Sequence, residues 1–207
     1  MAGAPKGYYK SVFINAPFSA ERREIFDAIV FTVQACGFSP HCALEFDNAA
    51  QSRLEKIKNL IRDCHLGVHD ISYMALDIDL PRFNMPFELG LFLGAAHYAE
   101  GWASRKVCTI LDAEPYRYQR AISDISGQDI RTHGLDPQVA SAQVRDWLSH
   151  HGRQKAPILG SAEIWRLYRV FAVELPAIAE AQGLTAEDLT FRERRYIAGD
   201  WLARVLP

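Results

Sequence analysis

The stretch SVFINAPFSAERREIFDAIVFTVQACG, residues 11–37, carries the reading of the fold. Its first five residues are a short, β-rich apolar run that ends at Ala16-Pro17-Phe18, and Ser19 is placed to cap a helix. From residue 21 to 36 the apolar positions Ile25, Ala28, Ile29, Val33 and Cys36 recur at helical spacing, and Gly37 stands where such a helix stops. A strand feeding an amphipathic helix is one β-α unit.

The rhythm repeats outward from there. HCALEF, residues 41–46, reads as a second strand, and Leu54, Ile57, Leu60, Ile61 and Cys64 mark one face of a helix beginning near Gln51. LGVHDI, residues 66–71, is a third strand, a helix starts around Met85 or Pro86, and KVCTIL, residues 106–111, is a fourth strand ending at Asp112. Strands alternating with helices predict a parallel sheet covered on both faces, because each right-handed crossover lays a helix on the sheet. The fold class is α/β: a doubly wound, flavodoxin-like parallel sheet of about five strands.

Beyond Asp112, residues 116–122 read as a short helix, 125–130 as a fifth, edge strand, and 138–150 as a helix with Ala140, Val144, Trp147 and Leu148 inward. GRQKAPILG, residues 152–160, reads as a loop or linker. Ile164, Leu167, Tyr168, Phe171 and Leu175 then make an amphipathic helix that Pro176 is expected to kink or end, and Thr190-x-x-Glu193 is a capping box opening a last helix. An α/β domain over residues 8–150 is followed by a C-terminal helical appendage over 161–207.

Bulk composition excludes several function classes. With 49% hydrophobic and 23% charged residues the chain is an ordinary globular protein, and a net charge of -2 gives no field to attract nucleic acid or anionic membrane. Arg192, Arg194 and Arg195 form its basic cluster and read as a solvated helix face. Cys36, Cys42, Cys64 and Cys108 stand in apolar surroundings without a C-x-x-C pair, which reads as reduced core thiols. The start has no apolar signal core, and the longest apolar run, broken by Glu88 and His97, is shorter than the ~20 residues of a membrane span. A cytoplasmic protein with no membrane partner is expected.

Ligands of an open parallel sheet bind beyond the carboxyl ends of its strands, where strand order reverses. Asn15, Pro17 and Phe18 follow the first strand, Asp70 and Ser72 close the third, and Asn84, Met85 and Glu88 open the helix after it. A first-turn glutamate is favoured by the helix dipole by about 0.3–1 kcal/mol, which is the plain reading of Glu88. Against it, Pro86, Phe87, Leu89, Gly90, Leu91 and Phe92 crowd the position, and a carboxylate in apolar surroundings has a raised pKa and, often, a functional purpose. Asp70 reads either as a turn cap or as a ligand for a ribose hydroxyl. Gly90 and Gly94, four apart, read as a packing surface. Cys64, His65 and His69 lie on one strand with no second cluster, so no metal site is expected. The Gly-rich and nucleophile-elbow motifs of Rossmann, P-loop and serine-hydrolase sites are absent.

The run Phe13-Ile14-Asn15-Ala16-Pro17-Phe18, the strand-closing Asp70 and the helix opening Glu88-Leu89-Gly90 resemble the nucleoside 2-deoxyribosyltransferase group and, more distantly, the Toll/interleukin-1 receptor (TIR) domains that cleave NAD. The resemblance covers residues 10–112. The transferases' Gly-Thr type turn ahead of the glutamate is here Asn84-Met85-Pro86-Phe87. The likeness implies that Glu88 acts at the anomeric carbon of a ribosyl group, that Asp70 contacts the sugar, and that the segment from Asn15 to Phe18 lines a nucleotide pocket. It further implies a hydrolase or transferase for the N-glycosidic bond of a nucleotide, NAD above all, without separate cofactor, and a role in bacterial antiphage signalling. Self-association is implied too, with the C-terminal helices as a candidate contact for a protein partner. The alternative is a module that binds a nucleotide, or a nucleotide-derived signal, without turning it over and relays to a partner.

Overall fold

The computed structural model describes residues 3–74, 83–151 and 157–206. Five parallel strands form one sheet: β1 (Ser11–Asn15), β2 (Ser39–His41), β3 (Leu66–Asp70), β4 (Val107–Asp112) and β5 (Ile130–Thr132), in the order 2-1-3-4-5. Among the described residues six α-helices accompany them: α1 (Arg23–Ala35), α2 (Arg53–Asp63), α3 (Asn84–Tyr98), α4 (Pro137–His151), α5 (Ser161–Glu180) and α6 (Phe191–Val205). The doubly wound fold arises from the way β1 alternates. Val12 and Ile14 enter the apolar cluster built with α1, α4, α5 and α6, whereas Phe13 points the other way, into Ile57, Leu60, Ile61 and Phe92 of α2 and α3.

Several boundaries differ from the sequence reading. Residues 43–45 form a 3-10 turn instead of strand, and β2 lies earlier, pairing Ser39, Pro40 and His41 with Ser11, Val12 and Phe13. An edge strand bonded on one side tolerates Pro40, whose missing N–H faces outward. β5 is likewise displaced, because residues 123–125 form a 3-10 turn and pairing with β4 begins only at Ile130. Ser19 precedes a 3-10 turn (Ala20–Arg22), and its side chain makes no capping bond. Leu54, expected on the inner face of α2, is 40% exposed. Of the expected linker, residues 152–156 lie outside the described residues.

The C-terminal helices do not hang free. Ile164, Leu167, Phe171, Trp201 and Leu202 share one buried cluster with Val12, Ile14 and Phe31, and the Phe31 and Phe171 rings stack at 5.3 Å. α5 runs unbroken through Pro176. An interior proline opposes a helix by about 3 kcal/mol, and here Leu175 and Ala179, both buried on either side of it, offset that cost. Arg194 and Arg195 are also not a solvated face. Arg194 pairs with Asp27 of α1 at 3.5 Å, and Arg195 donates to Glu45 at 2.7 Å and to the Pro40 carbonyl at 3.0 Å. Both arginines tie α6 to the body of the domain, while Arg192 remains exposed.

Gly90 and Gly94 do not pack either: a Cβ built on either would meet nothing within 4 Å. The close approach is instead at Gly67 in β3, where a Cβ would stand 2.8 Å from His69 Nε2 and 2.9 Å from the Phe92 ring, both fully buried. Neither neighbour has room to retreat. Gly67→Ala is therefore expected to lower unfolding stability by about 1–3 kcal/mol in urea titration.

Candidate functional site

Strand order reverses between β1 and β3, and Asn15 and His69 are register partners at their carboxyl ends. Asn15 is 2% exposed. Its Nδ2 donates to His69 Nδ1 at 3.0 Å and to the Met85 carbonyl at 2.9 Å, so one amide joins β1, β3 and the first turn of α3. Accepting at Nδ1 leaves the His69 proton on Nε2. The ring lies edge-on to Phe13 and Phe92, and burial pushes its pKa down to about 3, which keeps it neutral.

Beside this tie a cavity of about 300 Å³ opens, lined by Pro17, Phe18, Ser19, Arg53, Tyr73, Asn84 and Met85. Four of the residues singled out in the sequence, Pro17, Phe18, Asn84 and Met85, thus meet in one wall, with Asn15 bonded directly behind it. Arg53 and Tyr73 were not singled out, and Ser19 was read only as a helix cap. Arg53 is the first residue of α2, immediately after the Ser52 cap, and the same carboxyl-end rule applied to the loop after β2 would have found it.

Glu88 is 3% exposed and begins the second turn of α3, since the helix starts at Asn84 and has no acid in its first turn. The expected dipole and capping benefit is therefore small, as it fades beyond the first turn. Burial raises its carboxyl to about 7, partly opposed by the Arg53 guanidinium, and no hydrogen bond from the described residues stabilises its charge. It stands one helical turn after Asn84, outside the cavity lining but within electrostatic reach of the arginine in the wall.

Asp70 and Ser72 are placed elsewhere. Asp70 Oδ1 accepts from the Ser72 N–H at 2.8 Å and faces His133 Nε2 at 3.4 Å. Next to it Arg117 donates to Asp112 Oδ1 and to the carbonyls of Met74 (2.8 Å) and Ile71 (2.9 Å). This knot fastens residues 71–74, just after β3, to the segment after β4, and Asp70 serves it as a turn cap. Neither Asp70 nor Ser72 lines the cavity.

A larger cavity, about 700 Å³, lies between α1, α5 and α6 over Phe31, Phe171 and Leu175, and Phe18 borders both spaces. Among the described residues no group of three or more His, Cys, Asp or Glu is arranged to hold a metal ion, and no helix is long and apolar enough to cross a membrane. No protein-family model matches the chain, and comparisons with curated proteins and with solved structures return no match.

Glu88 lends itself to a direct test of its burial. Its folded pKa lies above the unfolded value, so the fold disfavours the charged form, and the penalty grows as pH rises from about 4.5 through 7. Glu88→Gln removes the charge and keeps the shape. It is expected to stabilise the protein by on the order of 3 kcal/mol at pH 8 and by less than about 1 kcal/mol at pH 5, read from denaturant midpoints at the two pH values.

Proposed function

We propose that the chain cleaves or exchanges the N-glycosidic bond of a nucleotide, with NAD the leading substrate and Glu88 the acting carboxylate. The observation that carries this reading is the Glu88 carboxyl: buried, free of a capping role, raised to about 7 and electrostatically coupled to Arg53, which walls the cavity with Tyr73. The likeness of Asn15-Ala16-Pro17-Phe18 and Glu88-Leu89-Gly90 to the deoxyribosyltransferase and TIR groups supplies the reaction class, and with it the proposal of a role in antiphage signalling. The four free cysteines suit the reducing cytoplasm proposed for it.

Breaking an N-glycosidic bond builds positive charge on the sugar, and a fixed carboxylate in a dry pocket stabilises that charge better than mobile water. In the covalent route Glu88 attacks C1' and the base departs with the electron pair of its bond. Water or a second base then opens the ribosyl ester, giving hydrolysis or exchange with retention. Only the ionised carboxylate can do this. The Asn15 amide keeps the first turn of α3 in register with the sheet, and neutral His69 adds no competing positive charge beside it.

Two observations favour the second reading, a nucleotide-binding module: Glu88 is outside the cavity lining, and about 300 Å³ is the low end of ligand-sized sites. Incubation with NAD and a panel of nucleosides and nucleotides, with free base measured by chromatography, separates the two. The enzyme reading expects base release that rises from pH 6 to pH 8 as Glu88 ionises and falls at least about 10²-fold in Glu88→Gln. Heat stabilisation by a nucleotide in both proteins, with no base released by either, assigns the module instead.

A further inference from the structure

A groove of about 450 Å³ lies between the last turns of α2 and α3, by the residue that precedes β4. It is therefore at the amino ends of the strands, on the opposite edge of the sheet from the cavity beside Asn15. Ile61, Leu91 and Ala95 give it an apolar wall, and Lys58, Arg62 and Lys106 bring cations to it. Among the described residues no carboxylate lines it. The Arg62 charge is matched, because its guanidinium donates to both oxygens of Asp63 at 2.7 and 2.9 Å. Lys58 stands one turn before Arg62 on the same face of α2 and is exposed.

Lys106 has an environment of another kind. It is 8% exposed, and its Nζ donates to the carbonyls of Ile61 (2.6 Å), Arg62 (3.2 Å) and Cys64 (2.5 Å) and to the Tyr8 hydroxyl (3.1 Å). The centroids of the Tyr8 and Phe92 rings are 4.9 and 5.8 Å from the same atom. Its hydrogen bonds are satisfied, but every one of these partners is neutral. Burial lowers its pKa to about 8, opposed in part by Cys64 and Asp63. The carbonyl end of α2 offers about half a negative charge, so roughly half of the ammonium's charge has no counter-charge. A buried charge in a folded protein is ordinarily paired.

We propose that this groove binds an aliphatic carboxylate, its chain along Ile61, Leu91 and Ala95 and its head between Lys58 and Lys106. The volume is within the roughly 300–1,000 Å³ of small-molecule sites. Charge selects the head: Lys58 and the unmatched part of Lys106 leave roughly one and a half positive charges facing a lining without an acid. Dehydrating a dianion against an apolar wall costs far more than dehydrating a monoanion, which favours a carboxylate over a phosphate. The inference concerns a site apart from Glu88 and is independent of whether Glu88 turns over a substrate.

Isothermal titration calorimetry of the full chain with sodium octanoate, sodium decanoate and 1-octanol tests it. One binding site is expected, with decanoate about 15-fold tighter than octanoate from its two further methylenes. Octanol, which keeps the chain and lacks the charge, is expected to bind at least about tenfold more weakly than octanoate. Lys58→Glu is expected to weaken decanoate at least about tenfold. Lys56→Glu, the same charge change on the same helix outside the groove lining, is expected to leave its affinity unchanged. Both variants are expected to keep wild-type circular dichroism. In protein labelled with ¹³C at lysine Cε, the Lys106 titration is expected to move to higher pH when decanoate is bound, since a carboxylate beside an ammonium favours its charged form. The absence of binding by either carboxylate overturns the proposal. So do octanol binding as tightly as octanoate, equal losses in the two variants, and a Lys106 titration that decanoate does not move.

Discussion

One side-chain amide holds the candidate site together. Asn15 sits at the end of β1, bonds the ring of His69 at the end of β3 and bonds the carbonyl of Met85 at the start of α3. Those three elements flank the point where the sheet reverses its order, and no other described side chain bonds both of its partners. The amide is buried, so its hydrogen bonds cannot be exchanged for water without leaving orphaned polar groups in the core. It sets the position of the Asn84–Met85 wall and the tautomer of His69.

Much of this was legible in the chain because the strongest signals are local. SVFIN and the helix after it alternate and recur as a β-α unit must, and the Thr190 to Glu193 capping box forms as written. What the sequence hid depends on neighbours far along the chain. β2 and β5 are three-residue edge strands, too short for a period to show, and their extent is set by pairing to β1 and β4. Gly90 and Gly94 have the spacing of a packing surface, but which way a helix faces is fixed by its other residues, here Glu88, Leu89 and Phe92 turned inward. Arg53 gains its meaning only when α2 is folded against the same sheet edge as Asn84.

The charged residues of α6 make the same point. Arg194 and Arg195 look solvated in sequence because their partners, Asp27 and Glu45, are about 150 residues or more away. In the fold they clamp the last helix to α1 and to the turn after β2, beside a shared apolar cluster. Asp70 shows the converse. It stands at a strand end where a ligand is expected, yet its Oδ1 is committed to Ser72 and His133, and it works as part of the frame that ties residues 71–74 to the segment after β4.

Phe18 has a consequence for the molecule's plasticity. Its ring is the partition between the small space at the sheet edge and the larger one under α5 and α6. A turn of this ring alters the border of both spaces at once. The helices at the end of the chain therefore stand one aromatic ring away from the chamber at its beginning.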